Sequence, residues 1–153
     1  MARLKSVIAG ALGGLAGATL MGRLHMAAAK LSKPKPQQSE DATEKVADAV
    51  AKQFAGRRLS RSERKKGGQI VHFAFGAGVG ALYGLLAEDF SPVRAGAGAL
   101  FGVAVYAGAH ALAVPALGLA PGPAENGPVR EAPELAGHVV YGLVTHGVTR
   151  LLA

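Results

Sequence analysis

The residues of this chain best suited to chemistry are its five histidines, and all of them stand within or at the edges of apolar stretches. An imidazole changes charge near neutral pH, and an ionisable group inside a membrane needs a partner. His25, His72, His110 and His138 each lie about five to eight residues in from one end of their stretch. At about 1.5 Å per residue this places all four roughly 7–12 Å below one membrane face. His146 falls deeper, toward the other side. Three uses are open. The rings can serve as interhelical hydrogen-bonding groups worth about 0.6 kcal/mol each, the ordinary fate of a buried polar side chain. They can form a pH-responsive layer. They can also hold a ligand, for which haem between opposed imidazoles is the clearest case.

Other chemistry finds little material. There is no cysteine, so disulfides, thiolate metal sites and cysteine nucleophiles are excluded. The six serines lie in loops or at segment edges, and no buried Ser–His pair is evident. The ten acids are placed likewise, with Glu88, Asp89 and Glu134 closest to the apolar stretches. A zinc set lacks its carboxylate or thiolate, and a paired-carboxylate site would have to be built at a rim. The expectation is a protein that is not an enzyme, with no catalytic residue, metal or cofactor.

The elements that must position the histidines are four apolar stretches near residues 6–29, 67–88, 94–118 and 133–152. A membrane span needs roughly 20 apolar residues. The middle two satisfy this cleanly; Arg23 interrupts the first, and the fourth is short. Half of the residues are apolar, yet only 5% are aromatic and 22 are glycine. That mix suits helices packing closely in lipid, where small residues let backbones approach. Gly10, Gly14, Ala18 and Gly22 recur at spacing four, as do Gly76, Gly80 and Gly84, and Gly98 and Gly102. Such ridges serve packing within the chain or between copies in a homo-oligomer equally well.

Between the first two stretches lies a basic block. Residues 30–66 hold eleven of the seventeen Lys/Arg and carry most of the net charge of +7. Lys33-Pro34-Lys35-Pro36 reads as an extended linker. Ser39 is placed to cap a helix with Ala42, Val46, Val50 and Phe54 on one face, which Gly56 ends. Ser60 and Glu63 form a capping box that starts the next helix. Arg57, Arg58, Arg61, Arg64, Lys65 and Lys66 precede the second span directly. No aromatic side chain is interleaved for stacking on bases, so nucleic acid is not the expected partner. Anionic lipid headgroups are, at about 1 kcal/mol per cation, alongside the plain role of a topology signal.

The positive-inside rule puts this block in the cytoplasm. With four spans both termini then lie outside, against which Arg3 and Lys5 argue mildly. Arg3-Leu4-Lys5, an apolar run and Ala27-Ala28-Ala29 also have the layout of a cleaved signal peptide, but cleavage there would export the basic block. Pro115 should kink or end the third helix. The Pro/Gly-rich residues 118–128 should form an irregular connection.

Val71-His72-Phe73-Ala74-Phe75-Gly76, continuing to Ala81-Leu82-Tyr83-Gly84, resembles the signature of the YagU-like bacterial inner-membrane proteins. Val114-Pro115-Ala116-Leu117-Gly118-Leu119 and His138-Val139-Val140-Tyr141-Gly142 resemble its two later motifs, in the same order. The resemblance implies a helical inner-membrane protein associated with acid resistance, and brings no catalytic residues. His72 and His138 fall on motif positions; His110 and His146 fall where the family's relatives are expected to carry acids. The expectation is therefore an all-α polytopic protein of the bacterial cytoplasmic membrane, one membrane domain over 1–153 with about four spans and an amphipathic cytoplasmic helix within the loop 30–66. Its role would be structural or acid-protective. The alternatives are a pH-responsive proton- or ion-conducting assembly and a haem-binding membrane anchor.

Overall fold

Free of proline, the first apolar stretch forms one long helix, α1 (Ala2–Leu31). A computed structural model describes residues 1–31 and 41–153. The Lys33–Pro36 linker and Ser39 lie outside the described residues, and Asp41, not Ser39, holds the N-cap position of the next helix, which starts at Ala42. From Asp41 the order is α2 (Ala42–Ala55), α3 (Arg61–Asp89), a 3-10 stretch (Ser91–Gly98), α4 (Ala99–Val105), a π-helical turn (Tyr106–Ala113), α5 (Val114–Ala116), α6 (Pro123–Asn126) and α7 (Pro128–Leu152). No strand occurs among the described residues, so the chain is all-helical there.

The local signals act as their chemistry requires. Gly56 closes α2 at φ +66°, where a side chain would be strained. The Ser60 hydroxyl accepts the Glu63 N–H while the Glu63 carboxylate accepts the Ser60 N–H at 2.8 Å, which fixes the start of α3. The apolar face expected on α2 is only partly covered. Ala47 is buried against Gly67, but Val50 and Phe54 are exposed.

The third stretch departs from expectation at its start. Ala95, Gly96 and Ala97 leave helical geometry, Gly96 and Ala97 both at positive φ, and a continuous helical path begins only at Ala99. Ala97 at φ +53° is the one non-glycine in the left-handed region among the described residues. Gly98 is therefore not part of a helical ridge with Gly102; it precedes α4 at φ +89°. Further on, the N–H of Val114 reaches back five residues to Ala109. This widened turn comes immediately before Pro115, which has no N–H to offer. The helical path ends at Ala116, with Gly118 at φ +66° and the Leu119 N–H bonded to Val114 O at 3.0 Å. The connection 118–128 is irregular except for one turn, α6. The last helix starts at Pro128, five residues before the apolar stretch does.

Glycine decides how the helices meet. A Cβ on Gly10 would overlap the Gly80 carbonyl and lie 2.8 Å from Gly84 N; one on Gly14 would overlap the Gly76 carbonyl. α1 and α3 thus run antiparallel with their backbones in contact, from Ser6 beside Gly84 to Ala18 beside Gly76. α7 lies antiparallel on another side of α1, with Thr145 against Gly13 and Tyr141 against Gly17. α4 lies antiparallel to α7, where Gly98 meets Gly142 and Gly102 meets His138. These glycines face partners inside one chain, the intrachain of the two packing uses that such ridges allow. Gly22, at the end of the α1 ridge, has nothing within 4 Å.

The surface is inverted relative to a water-soluble fold. The buried set is mostly small, aromatic or polar, with Ala9, Ala18, Tyr83, Tyr141, His138 and Thr145 (0% exposed) beside the apolar Met21 and Val93. Large aliphatic and phenyl side chains point outward, including Leu12, Leu15, Phe75 at 51% and Leu112 at 67%. Three helical segments among the described residues, Arg3–Lys30, Arg61–Asp89 and Ser91–Ala116, are long and apolar enough to cross a membrane. In the third, the continuous helical path runs from Ala99 to Ala116, about 27 Å at the α-helical rise of 1.5 Å per residue. α7 has the length, at 25 residues, but is less apolar.

Candidate functional site

A stripe along α7 organises the interior. Glu131, Glu134, His138, Tyr141, Thr145 and Thr149 follow one another at spacings of three and four, which keeps them on one helical face. All but Glu134 are buried. The two hydroxyls nearest the C-terminus are satisfied within the helix: Thr145 donates to Tyr141 O at 2.7 Å and Thr149 to Thr145 O at 2.6 Å. Tyr141 reaches across to α3 and donates to Gly76 O at 2.7 Å.

At one end of the bundle the stripe meets side chains from α1 and the π-helical turn. Glu131, 8% exposed, is the centre of this cluster. Its Oε2 accepts the Tyr106 O–H at 2.6 Å and lies 3.1 Å from His110 Nε2, and its Oε1 accepts Asn126 Nδ2 at 2.7 Å. Asn126 also donates to Pro121 O at 3.1 Å, which ties the irregular connection to the bundle. Tyr106 and His110, four residues apart, stack at 5.2 Å between ring centroids. His138 closes the group, 5.9 Å from the His110 ring and 5.6 Å edge-on to Tyr106. Its Nδ1 sits 2.8 Å from Glu134 O, so that nitrogen carries the proton and donates. The Glu134 carboxylate lies 3.5 Å from Nε2 of His25 on α1.

Three of the four histidines expected at one depth are thus gathered with two carboxylates. His72 is held apart on α3, its Nε2 3.1 Å from Ala18 O. His146 is at another level, as expected, with Nδ1 2.5 Å from the Tyr83 hydroxyl. That tyrosine packs edge-on against Phe101 at 4.9 Å. The rim at the far end is made by Ser6, which donates to Glu88 at 2.5 Å, and by Arg3, which pairs with Asp89 at 3.0 Å.

The imidazole–carboxylate partners come from separate elements, His25 of α1 facing Glu134 and His110 of the π-helical turn facing Glu131, both carboxylates on α7. Among the described residues no three His, Asp or Glu side chains are grouped to hold a metal ion. Haem ligation by opposed rings is disfavoured by Tyr106, whose ring lies against both His110 and His138 where a porphyrin would need to pass.

Glu131, Tyr106 and Asn126 were not among the residues singled out by sequence. The signal for Glu131 was its distance of three from Glu134 and seven from His138, which only counts once α7 is known to begin at Pro128. In the basic block, Arg57 pairs with Glu63 through two contacts of 3.2 and 2.8 Å, a hydrogen-bonded pairing that raises the Arg57 pKa above its ordinary value. Arg58, Arg61, Arg64, Lys65 and Lys66 continue the block along the connection and the first turns of α3.

Comparison with curated proteins and with solved structures returns no match. Residues 47–146, from within α2 to His146, match a family described as a protein of unknown function, DUF1440, and the chain belongs to that family.

Proposed function

We propose that this protein is a four-span component of the bacterial cytoplasmic membrane with a structural, acid-protective role. The carrying observation is the inverted surface: large aliphatic side chains outside, polar stripe inside. Water would reward the opposite arrangement, whereas lipid rewards this one. α7 is the fourth span in this reading, because its polar groups point inward and Leu135 and Leu143 point out. The basic block lies on the cytoplasmic side against anionic headgroups, and the exposed Val50 and Phe54 of α2 enter the interface. The acid-protective part rests on the YagU-like motifs together with the histidine–carboxylate cluster. Reporter fusions at residues 50, 90, 125 and the C-terminus test the reading. Positions 50 and 125 should report cytoplasm, and 90 and the C-terminus the outside. Placing 125 and the C-terminus on one side would remove α7 from the membrane. A folded monomer in detergent-free buffer would sink the whole proposal.

A second reading is favoured by one specific observation: His25 and His110 face carboxylates from α7 beside His138. On this reading the cluster is the entry to a pH-responsive proton or ion path. Purified protein in liposomes should then show flux that depends on pH and falls in His138→Ala and His72→Ala. Flux absent from wild type, or unchanged in both variants, would leave only the structural role.

A further inference from the structure

On the outer side of the α1–α3 pair there is an open groove of about 530 Å³ whose lining is almost wholly apolar. Ile70, Phe73, Ala74 and Ala77 of α3 line it together with Leu15 of α1. Lys66 and Gln69 stand at one end of it. The α3 residues repeat at spacings of three and four, so the groove runs along the helix and not across it. From Lys66 to Ala77 is eleven residues, or about 16 Å at 1.5 Å per residue. One leaflet of a bilayer has a hydrocarbon depth of about 15 Å, half of roughly 30 Å.

We propose that this groove is a binding site for one anionic phospholipid, with an acyl chain on Phe73, Ala74 and Ala77 and the phosphate at Lys66. The charge pattern selects the occupant. The apolar lining gives way to a cation and an amide donor at the depth where headgroups begin, and Lys65, Arg64 and Arg61 continue the positive potential outward. Among the described residues Lys66 has no ion-pair partner, whereas Arg57 in the same block is engaged by Glu63. The alanines explain why a groove exists here. The glycine contacts bring α1 and α3 backbone to backbone, and Ala74 and Ala77 leave the space beside that seam unfilled. This site rests on the membrane reading above and adds to it a discrete lipid on α3.

The test uses the full chain purified in detergent, titrated with phosphatidylglycerol or phosphatidylcholine of matched chain length and read by native mass spectrometry. Wild type should retain phosphatidylglycerol in preference to phosphatidylcholine. Lys66→Gln should lower that preference about fivefold, the value of one cation near a headgroup. Ala74→Leu, on an exposed position that tolerates the larger side chain, should abolish retention of both lipids. Arg130→Gln, an exposed cation on α7, should change neither. No headgroup preference in wild type, or a preference that survives both Lys66→Gln and Ala74→Leu, would overturn the site while leaving the membrane reading intact. Recovery of folded protein without detergent would instead overturn the membrane reading.

Discussion

Gly78 and Gly80 stand two residues apart on α3, and alanine should have opposite effects at the two positions. Each Gly→Ala change in a helix gains about 0.8–1 kcal/mol from reduced backbone freedom, so this term is common to both. The surroundings differ. A Cβ at Gly78 meets nothing within 4 Å. At Gly80 it would lie 2.7 Å from Gly14 Cα and 2.8 Å from Gly14 N, and would overlap the Gly10 carbonyl. Carbon atoms pack best at about 3.5–4.0 Å, so α1 must retreat by about 1 Å over part of its length. A radial gap of that size forfeits a quarter to a half of each contact's attraction, and overpacking of this kind costs about 1–3 kcal/mol. The obstructing atoms are backbone and have no rotamer to escape into, which favours the upper half of that range. Gly78→Ala should therefore stabilise by up to about 1 kcal/mol, and Gly80→Ala should fall about 1–3 kcal/mol below it. Reversible unfolding in mixed micelles, driven by increasing dodecyl sulfate and followed by circular dichroism, measures both against wild type. The difference between the variants is the informative quantity, because the propensity gain cancels in it. Equal stabilities would mean that α1 does not lie on α3 through these glycines.

Glu131→Gln should destabilise by about 1–3 kcal/mol, because a buried acceptor of three bonds loses its charge. Hydrogen exchange should rise first in residues 121–130, which Asn126 ties to that carboxylate. Gly137→Ala places a Cβ 2.7 Å from His25 Nε2, the end of a side chain free to rotate away. Stability should change little, while the His25 ring should become reactive toward diethyl pyrocarbonate; an unreactive ring would refute its packing on α7. Ser60→Ala removes the side-chain half of the capping box and should cost about 1 kcal/mol. That loss should be confined to fraying of the first turn of α3 as read by amide exchange.

Where side-chain chemistry acts over three or four residues, the fold was legible. The Ser60–Glu63 box and the Gly56 terminator need only their own turn to work, and both act as read. Counting residues along straight helices set His25, His72, His110 and His138 at one level; the structure brings three of them to the α7 stripe, while His72 bonds to Ala18 O. The break at residues 95–97 was hidden because alternating Ala and Gly carry opposite helix preferences and no polar signal. The widened turn before Pro115 could be located only as a kink. Glu131 was missed for a different reason. The run from Pro121 to Pro133 reads as loop by composition, yet proline costs little in the first turn of a helix, where its missing N–H has no partner to lose. Pro128 therefore opens α7 instead of preventing it, and Glu131 enters the bundle with it.

The case of α7 separates mean hydropathy from its direction. A mean adds Glu134, His138, Thr145 and His146 as costs wherever they point, and by that measure the helix falls short of the other three. Direction changes the sum. The polar residues at spacings of three and four point inward, where Tyr106 of the π-helical turn, Asn126 of α6 and carbonyl groups of α7 itself satisfy them, and the outward positions are left to residues such as Leu135 and Leu143. A polar group that keeps its hydrogen bonds costs little to bury, whereas the same group turned to hydrocarbon costs several kcal/mol. α7 thus keeps its polar groups satisfied only as part of the set. Its partner surface on α1 is Gly13 and Gly17, where any side chain would collide with Thr145 or Tyr141. The glycines of α1 and the polar stripe of α7 are two halves of one requirement: the first supplies the close approach that the second needs to stay covered.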